Sequence, residues 1–351
     1  MSSLSAEAIA AGDPTDQLGD VLGLPEHLRD ALWRVESAKL EPQDSPGGLV
    51  VAAMGGSAVG GMLAVAALGD RASRPIFVAR DYGLPAWTMP DTTVLCSSYS
   101  GDTEETLAAF EAAGALGARR IVVTSGGALA ATARAEGVPV IPLPGGFQPR
   151  ATVGYGLVVA LEVAALAGCG VQLHTEIDVA AAHAEQLVVQ WGPDAPEDSL
   201  AKTIARSLHG TVPQIAGAGL TTPVAYRWKT QINENASAPA FATELPELDH
   251  NEIVGWEGAA AQGRFSAVFL DDCDLHPRVR ARIKLTQEVI GAQAVVTHRL
   301  ETLGESRVER LVSMVLLGDL VSTYMAVLAG RDPAAIAPIA QLKAALAEQF
   351  P

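Results

Sequence analysis

A parallel α/β fold, built twice in tandem, is what this chain predicts, and three observations carry the prediction. Short β-branched apolar runs alternate with longer helix-patterned runs, the signature of strands joined by crossover helices. The alternation pauses near residue 171 and restarts beyond residue 200. At 351 residues, 49% of them apolar and 18% charged, the chain exceeds one ordinary domain and can fill two cores.

Taken in order, "GLVVAAM" (48–54), "PIFVA" (75–79), "TVLCS" (93–97), "RIVVT" (120–124) and "VPVIPL" (138–143) read as strands. Each is short, rich in branched residues and bounded by polar or turn-forming ones. Between them "AVGGMLAVAAL", "DTEETLAAFEAAGALG" and "ALAATARAEG" read as helices. "TVGYGLVVALEVAALAG" is an almost wholly apolar helix, expected to pack between the halves. Residues 171–200 are helical and polar, with "GPDAPEDS" as the expected linker or hinge. In the second half "TVPQIAGAG", "FSAVFL" and "AQAVVTHRL" read as strands. "TTPVAYRWKTQINENAS" and "PRVRARIKLTQEVIG" read as helices, and the chain closes on "SRVERLVSMVLLGDLVSTYMAVLAG" and "AIAPIAQLKAALAEQ". The expected halves are residues 1–170 and 171–351.

A formal net charge of −16 argues against a nucleic-acid or anionic-membrane partner, either of which wants a broad basic face. It leaves room for a small anion held at one local site. The first twenty residues lack a basic segment followed by an apolar core, so no secretory signal is expected. No uninterrupted apolar run reaches bilayer length. Cys96, Cys169 and Cys273 are far apart and lack metal-ligand spacing, so they read as reduced thiols of a cytoplasmic protein.

The stretch "SSYSGDTEET" (97–106) packs hydroxyls between a strand and a helix. In parallel α/β domains ligands bind beyond the carboxyl ends of strands, where helix amides point outward. Ser98, Ser100 and Thr103 flank Gly101, which lets backbone approach a ligand closely. Hydroxyls, amides and a helix dipole bind phosphate without any lysine. A helix cap alone would account for the same residues, since "DTEE" is itself a capping sequence. A second junction, "AAMGGSAVGG" (52–61), places Gly55 and Gly56 before Ser57. A dinucleotide fold wants glycine where Ser57 stands, although Asp81 imitates the ribose-binding acid. No Gly-Lys-Ser/Thr follows, so a P-loop is excluded. Two hydroxyl-bearing junctions on adjacent strands favour a phosphomonoester.

"MGGSAVGG" followed by "SSYSGDTEET" resembles a sugar isomerase (SIS) domain. "PGGFQPRATVGY", "RWKTQINENASAPAF" and "ELPELDHNEIVGW" resemble the bifunctional phosphoglucose/phosphomannose isomerase branch, and the resemblance spans nearly the whole chain. It implies two tandem SIS-type domains, each a doubly wound, flavodoxin-like parallel sheet flanked by helices. The first carries the phosphate loops; the second carries the catalytic acid and histidine, with its terminal helices packing back on the site. It implies an aldose–ketose isomerase of glucose 6-phosphate, mannose 6-phosphate and fructose 6-phosphate, working through a cis-enediolate with neither metal nor redox cofactor.

Such a reaction needs a base, a ring-opening acid–base group and a cation at the developing oxyanion. The resemblance assigns the proton shuttle to Glu234 in "NENAS" and ring opening to His250 in "ELDHNE". Asp249 and Glu252 crowd that histidine and stand ready to orient it. Arg150 in "GGFQPRA" fits the enediolate-stabilising cation, and Lys343 in "AQLKAAL" matches a lysine reaching the sugar. Gly56, Ser57, Ser98, Ser100 and Thr103 hold the phosphate. Solvated acids, a structural histidine and surface cations are the ordinary roles of these residue types. Three positions depart from the family pattern. Asp102 replaces a common asparagine and puts a negative charge beside the phosphate. Ser237 stands for lysine and Ala334 for threonine, which bears on sugar preference. A non-catalytic sugar-phosphate sensor is the alternative, disfavoured because Arg150, Glu234 and His250 are all present. A homodimer with composite sites is also expected, from the apolar late helices and from relatives that place this histidine in the neighbour's site.

Overall fold

The structure, a computed structural model, describes residues 3–349; residues 1–2 and 350–351 of the two expected halves lie outside it. Five strands, Leu49–Ala53 (β1), Ile76–Ala79 (β2), Thr93–Ser97 (β3), Arg119–Thr124 (β4) and Val140–Pro142 (β5), form one parallel sheet. Its order is β2-β1-β3-β4-β5. Every residue of β1 and β3 is buried, as central strands covered on both faces require. Four more, Val212–Gly217 (β6), Phe241–Glu244 (β7), Phe265–Asp271 (β8) and Thr297–Glu301 (β9), form a second parallel sheet, β7-β6-β8-β9. The β7 strand is absent from the sequence reading. It is four residues long, exposed at three of them, and so lacks the apolar run that marks a buried strand.

Helices α1 (Ala6–Gly12), α2 (Gln17–Leu22) and α3 (Leu24–Ser37) precede the first sheet. Its own helices are α4 (Gly55–Leu68), α5 (Glu104–Leu116), α6 (Gly127–Ala135) and α7 (Val153–Leu166). Then come α8 (His174–Trp191), α9 (Leu200–Leu208), α10 (Thr222–Asn235), α11 (Glu252–Gly255), α12 (Ala259–Gln262), α13 (Pro277–Gly291), α14 (Arg307–Leu328) and α15 (Ala337–Gln349). The apolar α7 packs on α3 and α4 of its own half; α4, α10 and α14 join the halves instead. The hydrophobic core does not break at residue 171: one cluster holds Val51 and Ile121 of the first sheet with Ile215 and Val268 of the second.

By length and composition Pro149–Leu166, which ends in α7, and α14 are each long and apolar enough to cross a membrane, but the fold uses that apolarity internally. Every residue from Val308 to Ala326 is buried. By contrast α15 leaves apolar residues in solvent, Ile339, Leu342 and Leu346 among them. The segment expected to be a hinge, 192–199, is tied down. Buried Lys202 donates to the Pro193 and Ala195 carbonyls at 2.8 and 2.7 Å.

Two helix contacts are close enough to demand glycine. A Cβ at Gly60 of α4 would lie 2.5 Å from the Gly156 carbonyl carbon of α7. One at Gly318 of α14 would lie 2.2 Å from the Trp228 indole nitrogen of α10, which donates to Met314 O at 2.8 Å. We expect G60A to lower the unfolding free energy by about 1–3 kcal/mol, because overpacked backbone must move apart. G83A, where nothing lies within 4 Å of the added carbon, is the neutral control. Equal urea midpoints for the two variants would refute the close-contact account.

Candidate active site

The first sheet reverses its strand order between β1 and β3, which opens a crevice at their carboxyl ends. Helix α4 begins directly after β1 and α5 begins one residue after Thr103. Neither helix has a side-chain cap on its first amides, so those donors remain available to an anion. Gly56 is pressed against the next loop: a Cβ there would lie 3.0 Å from both Arg150 Cα and Pro149 O. Ser57 is half-buried in the first turn of α4.

Ser98 is buried. Its Oγ accepts from the Gly101 amide at 3.1 Å and shares a proton with Thr103 Oγ1 at 2.8 Å. Gly101 has φ +77, and a Cβ there would lie 1.9 Å from Gly126 O; no other residue fits. Ser100 is exposed and its Oγ accepts from the Asp102 amide at 3.2 Å. Asp102 does not cap its own helix. Its Oδ1 accepts from Ala128 N at 2.8 Å, serving the start of α6, which has no side-chain cap among its own neighbours. That explains an acid at a position where a phosphate ligand would prefer none.

Arg150 sits in the 3-10 turn Pro149–Thr152 and is almost fully buried. Its Nη1 donates to Glu234 Oε2 at 3.4 Å, Nε to Asn235 Oδ1 at 2.7 Å, and Nη2 to Pro333 O at 2.5 Å. Burial pulls the guanidinium below the usual arginine range, and the Glu234 charge opposes that pull. Glu234 lies half-buried in the last turn of α10. Tyr99 ties the hydroxyl loop to the Arg150 loop: its OH donates to Pro144 O at 3.0 Å and accepts from Phe147 N at 2.9 Å. The structure therefore brings Gly56, Arg150 and Glu234 together and links them to the Ser98–Thr103 loop.

His250 and Lys343 do not join them. Both are exposed, and among the described residues neither side chain makes a hydrogen bond or ion pair. His250 follows β7, whose last residue Glu244 accepts from Thr222 Oγ1 at 3.3 Å. Thr222 opens α10, while Glu234 stands in its last turn. His250 itself lies six residues beyond Glu244, in the 3-10 turn Glu247–His250, and among the described residues no hydrogen bond or ion pair joins its side chain to Glu234 or Arg150. Nor do the neighbouring acids orient the imidazole. Asp249 accepts from Arg282 and Thr286 at 2.8 and 2.7 Å, and Glu252 accepts from Gln214 and Thr243, both at 2.6 Å. Lys343 lies on the outstanding helix α15.

Sequence reasoning missed Asn235, Tyr99 and the Pro333 carbonyl. Asn235 and Tyr99 stood inside quoted motifs, but nothing local says which group an amide or a phenol will meet. Of the remaining departures, Ala334 donates its amide to Asp332 Oδ1 at 2.9 Å, and exposed Ser237 ends α10 with φ +51.

Residues 197–346 match the family of the bacterial phospho-glucose isomerase C-terminal SIS domain. The chain is 37% identical to a bifunctional phosphoglucose/phosphomannose isomerase of Caldicellulosiruptor bescii, over 93% of this chain and 98% of that protein. It is 36% identical to the protein of the same name from Aquifex aeolicus, over 84% and 89% respectively. A solved structure of a hypothetical protein from Thermus thermophilus superimposes with a TM-score of 0.75, covering 98% of this chain and 94% of that one. Its 17% identity shows the fold alone.

The Asp102 bond predicts a split between two substitutions. D102A strips α6 of its cap and should cost about 1 kcal/mol of unfolding free energy, as cap losses do. D102N keeps the accepting oxygen and should stay within a few tenths. Denaturation curves that rank the two variants the other way would remove the cap from the account.

Proposed function

We propose that this chain, which belongs to the bifunctional phosphoglucose/phosphomannose isomerase family, interconverts glucose 6-phosphate and mannose 6-phosphate with fructose 6-phosphate. The observation that carries the site assignment is the Arg150–Glu234 pair, set against the Gly56 backbone and tied through Tyr99 to the Ser98–Thr103 loop. The phosphate rests on Ser57, Ser98, Ser100 and Thr103 and on the first amides of α4 and α5. Glu234 takes the proton from the carbon next to the carbonyl and returns it to the neighbouring carbon. Arg150, buried and always charged, meets the enediolate oxygen where a preorganised cation counts most. No step calls on a metal or a redox cofactor. Three free cysteines, two of them buried, support a cytoplasmic location.

His250 enters from a second copy in this reading. Ring opening needs such a group, and among the described residues the His250 side chain makes no hydrogen bond or ion pair with Glu234 or Arg150. A symmetric dimer gives each site one histidine from the other chain. The exposed apolar residues of α15, with Lys343 on the same helix, support an association of copies.

In heavy water, wild-type protein given each hexose 6-phosphate should interconvert the sugars or place deuterium at C1 or C2, followed by NMR. Binding without either outcome would leave only a sugar-phosphate sensor. E234Q removes the base and keeps the shape, so turnover should fall about 10²–10⁴-fold with little change in affinity. A variant holding more than a tenth of wild-type turnover would clear Glu234 of the role.

E234A and H250A chains, each inactive alone, should complement when refolded together. Each mixed dimer then owns one site with both groups and one with neither. Random pairing makes half the dimers mixed, so about a quarter of wild-type activity should return. Verified mixed dimers without activity would place both groups in one chain's site.

A further inference from the structure

The geometry points to Asn235 as the positioning residue that aims Arg150, through a directional relay that ends on Asp319. The inference rests on reading Arg150 as the cation of the isomerase site. Four buried groups make up the relay. Arg150 Nε donates to Asn235 Oδ1 at 2.7 Å, and Asn235 Nδ2 donates to Ser322 Oγ at 2.9 Å. Ser322 Oγ donates in turn to the Asp319 backbone carbonyl at 2.9 Å. Asn235 and Ser322 have no exposed surface at all.

The direction cannot reverse. A guanidinium only donates and a carbonyl only accepts. Since the Ser322 proton is committed to Asp319 O, its oxygen can only accept from Asn235. The Asn235 amide therefore has one orientation, NH₂ toward α14 and oxygen toward Arg150. A flipped amide would put two donors face to face at Nε and two acceptors at Ser322. The second route from Arg150 to Asp319 closes the ring. Arg227 donates to the Arg150 carbonyl at 3.0 Å and holds the Asp319 carboxylate with Nε and Nη2, at 2.9 and 2.6 Å.

With Nε given to Asn235 and Nη2 to Pro333 O, the guanidinium plane is fixed from behind and the Nη1 edge faces Glu234. Asn235 touches no reacting atom in this arrangement; it acts through Arg150. Its removal should therefore lower kcat while leaving substrate affinity in place.

The test uses the full chain and steady-state kinetics with fructose 6-phosphate. N235L keeps approximate volume and deletes the amide. Its kcat should fall about 10–100-fold, the cost of a misplaced catalytic group, with KM within threefold and a cooperative thermal transition that shows the chain folded. In an R150A background the same substitution should cost nothing further, because the group it aims is gone. Wild-type kcat in N235L, or equal losses in both backgrounds, overturns the proposal. Full turnover in R150A alone sinks the reading of Arg150 itself, and this inference with it. Should N235L fail to fold, S322A carries the test, since it removes only the hydroxyl that fixes the amide's direction. Its kcat should drop about threefold to tenfold, the effect of one weakened hydrogen bond. An unchanged kcat there counts against the relay.

Discussion

Arg150, Arg227 and Asp319 are held in one buried ring of hydrogen bonds, and the relation between the two halves depends on it. The ring joins the 3-10 turn after the first sheet to α10 and α14 of the second half. Burying an arginine beside an aspartate gains little by itself, since desolvation offsets the attraction; breaking the pair costs far more, about 3–5 kcal/mol. Burial indeed pushes the Asp319 carboxyl above its usual range, and Arg227 pulls it back. What the ring contributes is register. Helices α10 and α14 also meet through Gly318 and Trp228, whose indole donates to Met314 O; the ring adds a second fixed point to that alignment. Glu234, in the last turn of α10, meets Arg150 in that alignment.

The two sheets repeat one topology but not one chemistry. Each reverses its strand order once, between β1 and β3 and between β6 and β8, and each reversal opens a crevice. The first is lined by hydroxyls and helix amides with no side-chain cap. The second carries Asp271 and Asp272 on and after β8, both buried and both engaged by arginines. A dianion gains nothing from carboxylates already matched to their cations. Within the proposed function it is the first crevice that holds the phosphate, and the second half supplies Glu234.

Much of this was legible in the sequence, and the limits fall where physics places them. Strands such as 93–97 and the two hydroxyl junctions announce themselves because burial and helix starts leave local signatures. Arg150 and Glu234 were found through motif resemblance, and their contact, 84 residues apart in sequence, is a tertiary fact no local pattern contains. The short β7 strand lacks a buried face, so periodicity passes over it. The α7 helix read correctly as buried, yet its partners were misplaced, because apolarity says that a helix is covered and not by what. Asp102 misled for a related reason: its cap belongs to another helix.

His250 marks the place where a single chain stops explaining itself. Within the proposed function, the proton shuttle and the ring-opening group must both reach one sugar. The buried ring sets Arg150 against Glu234 and includes no contact with His250. Within the proposed function, that group comes from another molecule of the same chain, and the symmetry of such a pair would complete both sites at once.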